Sequence, residues 1–227
     1  QYIILSRIFS FASINKLLLP PDGFAALNIH DELNDNLTER HKLLLEKMKK
    51  LKQSDDSFFL YLHYSKIHTG IMQKVLKKYD NFSEEYFSNK EKNAKFYDEL
   101  FQNADKYLGE IFQHFKFLGL DEDTLLVVIS DHGISTGEKF GERAYGVFCY
   151  DTTLISTALF YSPGISPLIL KNQVRSIDIL PTILEYLSIP LDGTFAKMDG
   201  ESLVPIINGK KESRISFSQS GNPLNSG

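Results

Sequence analysis

The sequence predicts an α/β protein, a three-layer αβα sandwich around a mostly parallel central sheet, and three observations point there. The apolar runs Phe58 to Leu62 and Leu125 to Ile129 are continuous rather than alternating, as in strands covered on both faces. Between them, Glu91 to Leu118 carries an apolar stripe at helical spacing, so strand and helix alternate along the chain. The second run then delivers Ser130-Asp131-His132-Gly133 to the carboxyl end of a strand, where ligands collect in open α/β sheets.

Taken in order, Tyr2 to Pro21 is apolar but broken by Arg7 and Lys16. It falls short of the roughly 20 uninterrupted residues a membrane span needs, and it lacks the clean cleavage site of a signal peptide. Residues 1–34 are therefore expected to pack on protein outside this chain. Asp35-Asn36-Leu37-Thr38-Glu39 reads as a capped helix start, with Leu37, Leu44, Leu45, Met48 and Leu51 near helical spacing and His41 on the surface. Phe58 to Tyr64 follows as a strand. Gly70 to Lys90 mixes aromatic and charged residues without a period and is expected to be irregular, with one short helix.

In the long helix, Phe96, Leu100, Phe101, Ala104, Leu108, Ile111, Phe112 and Phe115 form the apolar stripe. Gly119 ends it, being tolerant of the left-handed conformation at a helix terminus. Thr124 to Ile129 is the central strand, with three β-branched residues at its end. Ile155 to Tyr161 is a further strand closed by Pro163-Gly164, and Asp178 to Leu187 a helix with Pro181 in its first turn, where the missing N–H costs nothing. Asp178 suits a capping role there. Ser216-Phe217 reads as the start of another strand.

Composition narrows the function classes. With 42% hydrophobic and 24% charged residues the chain is an ordinary globular domain, single over residues 1–227. A net charge of −4 without a basic stripe argues against nucleic acid as a partner, and nothing indicates membrane association. The single cysteine, Cys149, excludes an internal disulfide framework. Its apolar neighbours argue against a nucleophile there.

Asp131 and His132 together are suited to hold a divalent cation, although Asp-His-Gly alone also fits a polar turn. Their continuation includes Gly137-Glu138-Lys139, Gly141-Glu142-Arg143, Tyr150-Asp151 and Ser162-Pro163-Gly164. With His63 to Gly70 upstream and Val174-Arg-Ser-Ile-Asp178-Ile-Leu-Pro181-Thr182 and Asp199-Gly-Glu-Ser-Leu203 downstream, this pattern resembles the sulfatase family of the alkaline phosphatase superfamily over roughly residues 55 to 207.

The resemblance implies an alkaline phosphatase-like fold and a metal-dependent sulfuric ester hydrolase acting on a small-molecule or glycan sulfate ester. It implies Asp131 and His132 as metal ligands, with calcium or magnesium favoured and manganese or zinc open. His68 would contact the ester oxygens, and Lys139 or Arg143 would supply a further cation; where many relatives carry Thr-His, this chain has Ala144-Tyr145. His63, inside the strand, reads as structural.

The family's Cys/Ser-x-Pro/Ala-x-Arg nucleophile motif occurs nowhere in the chain, nor do its early acidic ligands. The expectation is accordingly an incomplete copy, truncated at both ends and without turnover of its own. The alternatives are a phosphodiesterase or phosphonate monoester hydrolase, a phosphoethanolamine transferase, and an inactive sulfatase-like binding protein.

Overall fold

The computed structural model describes residues 2–7, 25–29, 37–54, 56–190, 198–210, 212 and 214–220. Its centre is a five-stranded sheet of β1 (Tyr2–Arg7), β2 (Ala25–Ile29), β3 (Phe59–Tyr64), β4 (Thr124–Ile129) and β5 (Ala158–Tyr161), in the order β2-β3-β1-β4-β5. β4 alternates its burial between two apolar clusters. Leu126 packs with Leu60, Leu62 and Tyr64 of β3 against Leu44 and Met48 of α1 (Leu37–Gln53) and against Ala104, Tyr107, Ile111 and Phe115 of α4 (Lys90–Phe117). Leu125 and Val127 pack on the opposite face against Ile183 of α6 (Ile179–Tyr186) and Leu187. Helices thus cover both faces, and each fully buried aliphatic side chain on β4 contributes about 1.5–3 kcal/mol.

The sheet departs from the expected, mostly parallel arrangement. β2 pairs with β3 in parallel, but β1 runs antiparallel to both β3 and β4, and β5 runs antiparallel to β4. β3 and β4 still point the same way, so their carboxyl ends open onto one rim. The physical reason for the difference is an inserted strand: Tyr2-Ile-Ile-Leu, apolar and β-branched, lies between them, whereas residues 1–34 were expected to pack outside the chain. Residues 8–24 and 30–36 lie outside the described set.

Between β3 and α4 the chain is more helical than its pattern suggested. α2 (Lys66–Ile71) runs straight into a π-helical turn at Met72–Leu76, and α3 (Glu84–Ser88) follows, with Ser83 Oγ accepting the Tyr86 amide. These elements are too short to show a period, yet Ile71, Val75 and Tyr86 form a third apolar cluster with Ala144. In α4, Phe101 is exposed and Tyr107 takes its place in the core, stacked on Tyr64 at 5.4 Å. His41, expected on the surface, is half-buried with Nδ1 3.4 Å from the Tyr107 hydroxyl. Gly119 closes α4 at φ +63°, as expected. Residues 155–157 precede β5 as an extended segment after the short α5 (Asp151–Leu154), and Ser216 and Phe217 belong to no strand. No helix among the described residues is long and apolar enough to cross a membrane.

Asp178 stands at the N-cap of α6 but makes no side-chain capping bond to that helix, because its carboxylate is taken up elsewhere. Fully buried, its carboxylate accepts from the Arg175 amide and guanidinium (3.0 and 2.8 Å), the Glu201 amide (3.0 Å) and Arg214 (2.9 Å). Gly200 fits beside it because a Cβ there would lie 1.9 Å from the Ile177 carbonyl. Burial pushes the Asp178 carboxyl upward, but the donors, Arg175 foremost, outweigh it and hold the carboxyl below its usual range. With the folded value below the unfolded one of about 3.9, the stabilisation is complete above the unfolded value and is lost as pH falls through the folded one. Asp178→Ala, which strands two arginines, is expected to lower stability by about 3–5 kcal/mol at pH 7. Denaturant titrations at several pH values check this, and Asp178→Asn should flatten the acid limb.

Candidate functional site

The site grows from the place where β4 leaves the sheet. Ser130 is tied to the segment before β5 at both its amide, which donates to Thr157 O at 2.9 Å, and its hydroxyl, which accepts the Thr157 amide at 2.8 Å. Gly133 then passes so close to α5 that a Cβ would lie 2.4 Å from Thr152 O and 2.9 Å from Ile155 O, while its amide donates to Thr153 O. Only glycine fits, and the two residues before it are thereby held at the rim.

Asp131 is exposed and its Oδ1 accepts the His132 amide at 3.0 Å, as a polar turn would. Oδ2 remains 3.8 Å from His132 Nε2. His132 Nδ1 lies 2.7 Å from the Gly133 carbonyl. A carbonyl only accepts, so Nδ1 carries a proton, and Nε2 is the ring atom on the side of the carboxylate, the one with a lone pair for a cation in the neutral tautomer. Metal–ligand distances are about 2.0–2.6 Å, so one ion can touch both atoms. The donor set therefore fits a divalent cation in part: among the described residues no group of three or more His, Cys, Asp or Glu side chains converges.

His68, on the first turn of α2 beyond β3, is exposed, and its Nδ1 lies 3.1 Å from the Tyr145 hydroxyl. The Tyr145 ring in turn sits 4.4 Å from the His132 ring. Burial, and then the negative charge of Asp131, push the Tyr145 hydroxyl above its ordinary value, so it stays protonated at neutral pH. Tyr145 thus links the two histidines that the sequence singled out.

The other two candidates lie differently. Arg143 is turned away, donating to Leu76 O at 2.6 Å and Asn81 Oδ1 at 3.1 Å, where it anchors the loop to the end of the π-helical turn. Lys139 is exposed on the same loop. The carboxylates of this stretch are folded into the loop itself rather than paired with its cations. Glu138 accepts from Ser135 Oγ and from the Thr136 amide and hydroxyl; burial pushes its carboxyl up, but its own backbone amide, then Thr136 and Ser135, outweigh that and hold it below its usual range. Glu142, fully buried, accepts the Val147 and Phe148 amides. His63 faces the side of the sheet opposite Leu62 and Tyr64 and is half-buried. Tyr145 is the residue the sequence undervalued; the signal was its place in the dense polar stretch that follows Asp131 and His132.

The structure is thus an α/β fold with an aspartate and a histidine on the rim beyond a central strand, and a second histidine joined to them through Tyr145. The chain belongs to the sulfatase family, whose profile, described as Sulfatase, matches residues 22–189. It is 34% identical to arylsulfatase K of Bos taurus over 122 residues, covering 52% of this chain and 22% of that protein. It is 28% identical over 107 residues to choline-sulfatase of Rhizobium meliloti (strain 1021), covering 46% and 20%. It is also 30% identical over 116 residues to the multifunctional alkaline phosphatase superfamily protein PehA of Trinickia caryophylli, covering 50% and 22%. The matched part thus spans about a fifth of these relatives. Membership carries the alkaline phosphatase-like α/β fold with it.

Gly133→Ala is expected to force the loop off α5, at about 1–3 kcal/mol of overpacking. The measurement is a thermal melt together with the His132 ring resonances, which should both move.

Proposed function

We propose that these residues form the cation- and anion-handling part of a metal-dependent sulfuric ester hydrolase. The observation that carries the reading is the meeting of Asp131, His132 and Tyr145 with His68, which comes from a different strand end. Asp131 Oδ2 and His132 Nε2 would hold the cation, calcium or magnesium by the oxygen ligand, manganese or zinc by the imidazole. When bound, a divalent cation supplies neutralisation of the ester's charge and polarisation of an ester oxygen. His68 donates a hydrogen bond to a non-bridging oxygen, strengthened when the ring is protonated. Arg143 fixes the loop, and Lys139 is the free cation nearest in sequence to reach an approaching anion. The family's nucleophile motif is not within the 227 residues, so no nucleophilic step is assigned to them.

The likeness to a multifunctional alkaline phosphatase superfamily protein favours a second reading, a phosphodiesterase or phosphonate monoester hydrolase. Both act on singly charged tetrahedral esters and would share this loop. Comparing aryl sulfate with aryl phosphodiester as substrates of the intact enzyme separates them: a higher kcat/KM for the sulfate is expected, and the reverse preference would replace the first reading by the second.

Metal binding tests the ligand assignment directly. His132→Ala and Asp131→Asn are each expected to weaken divalent-cation binding about 10–100-fold, in line with losses seen when metal-site partners are removed. Calorimetric titration or elemental analysis reads this, and unchanged affinity in both variants would refute the assignment.

A further inference from the structure

The two histidines of the site face opposite kinds of partner, and each ring's second nitrogen shows how it is set. His132 Nδ1–H donates to the Gly133 carbonyl at 2.7 Å, and its Nε2 lies 3.8 Å from Asp131 Oδ2. For His68 the partner is a hydroxyl, the Tyr145 Oη at 3.1 Å, which is able to donate or accept.

We propose that Tyr145 is a positioning residue for His68, its hydroxyl donating to Nδ1 so that the ring presents Nε2–H outward, the tautomer opposite to that of His132. This rests on the reading of His68 as the group that contacts the ester anion. A phenol is a stronger donor than acceptor, and an imidazole lone pair is a better acceptor than a phenol oxygen. The Tyr145 hydroxyl therefore gains most by donating. The result is one ring offering a lone pair, suited to a cation, and one offering an N–H, suited to an anion, with a single aromatic ring between them.

The backbone shows that Tyr145 is aimed there. Its neighbour Ala144 is fully buried yet held at φ +68°, a conformation that costs a residue with a Cβ about 1–2 kcal/mol. Ala144 O accepts the Ser135 amide at 2.6 Å, closing a bridge across the loop, and Ser135 O accepts the Tyr86 hydroxyl at 2.9 Å. On the other side Arg143 is anchored to Leu76 and Asn81, and the Tyr145 amide donates to Arg143 O at 3.0 Å. The strained residue is thus clamped from both sides, and what it sets is the direction in which Tyr145 leaves the loop.

The test is a long-range 1H–15N correlation spectrum of the protein with labelled histidine, at a pH where both rings are neutral. The expected pattern is protonation of His132 on Nδ1 and of His68 on Nε2. In Tyr145→Phe, which keeps the ring beside His132, the His68 Nδ1 resonance should shift while the His132 pattern stays. His68 protonated on Nδ1 in the wild type, or an unmoved His68 spectrum in the variant, would overturn the inference. The wild-type spectrum decides even if the variant folds poorly. Adding sulfate should then move the His68 Nε2–H; the tautomer pattern without that response would uphold the inference and reject the anion role on which the functional reading rests.

Discussion

The geometry of this protein depends on β4 being gripped from both sides. Leu126 is locked into the cluster built with α1 and α4, and Leu125 and Val127 into the one built with α6. A strand so held has little freedom in register, because a slip of one residue would turn each set toward the wrong layer. Its last residues leave the sheet at a defined point, and Gly133, jammed against Thr152 O and Ile155 O, leaves the loop one path. Asp131 and His132 are neighbours in the chain, and that path sets how their side chains stand, with Oδ2 and Nε2 3.8 Å apart and both residues partly exposed.

The loop from Ile134 to Phe148 solves a second problem, keeping a polar, glycine-rich segment in one shape. It does so with its own carboxylates. Glu138 ties the residues at its start and Glu142 those at its end, while Tyr86 and Ala144 fasten the middle to the α2–α3 layer. Surface ion pairs would contribute little to such rigidity. Carboxylates bonded to backbone amides are the stronger device, and Glu142 makes its bonds fully buried.

Much of this was legible beforehand where local pattern and burial coincide. β3, β4 and α4 stand within a residue or two of their expected bounds because their apolar spacing is what packs them. Strand direction was not legible, since an apolar run has the same composition whichever way it points, and β1 was obscured by the charges that interrupt its neighbourhood. Tyr107 was missed because its hydroxyl marked it as polar, although it is the ring that fills the core. At the candidate site, Asp131 and His132 were singled out by their place beyond a strand end and His68 by the family resemblance, and the structure places all three beyond the carboxyl ends of β4 and β3. The Tyr145–His68 contact joins positions 77 apart and depends on a left-handed alanine, which no spacing rule anticipates.

The charge around the rim bears on what ester this arrangement suits. Of the two cationic side chains in the loop, Arg143 is spent on Leu76 and Asn81 and Lys139 points into solvent, while the position facing His68 is a neutral phenol. Apart from a bound cation, the cationic or hydrogen-bonding side chains that the described part of this loop and the turn after β3 bring near an anion under the proposed reading are His68, Lys139 and Lys66. A phosphate monoester carries close to two negative charges at neutral pH and would leave much of that charge uncompensated in such a site. A sulfate monoester or a phosphodiester carries one. Under the proposed reading, one metal ion and one hydrogen-bonding histidine are proportionate to that load, and this charge balance is the electrostatic argument for placing a singly charged ester there.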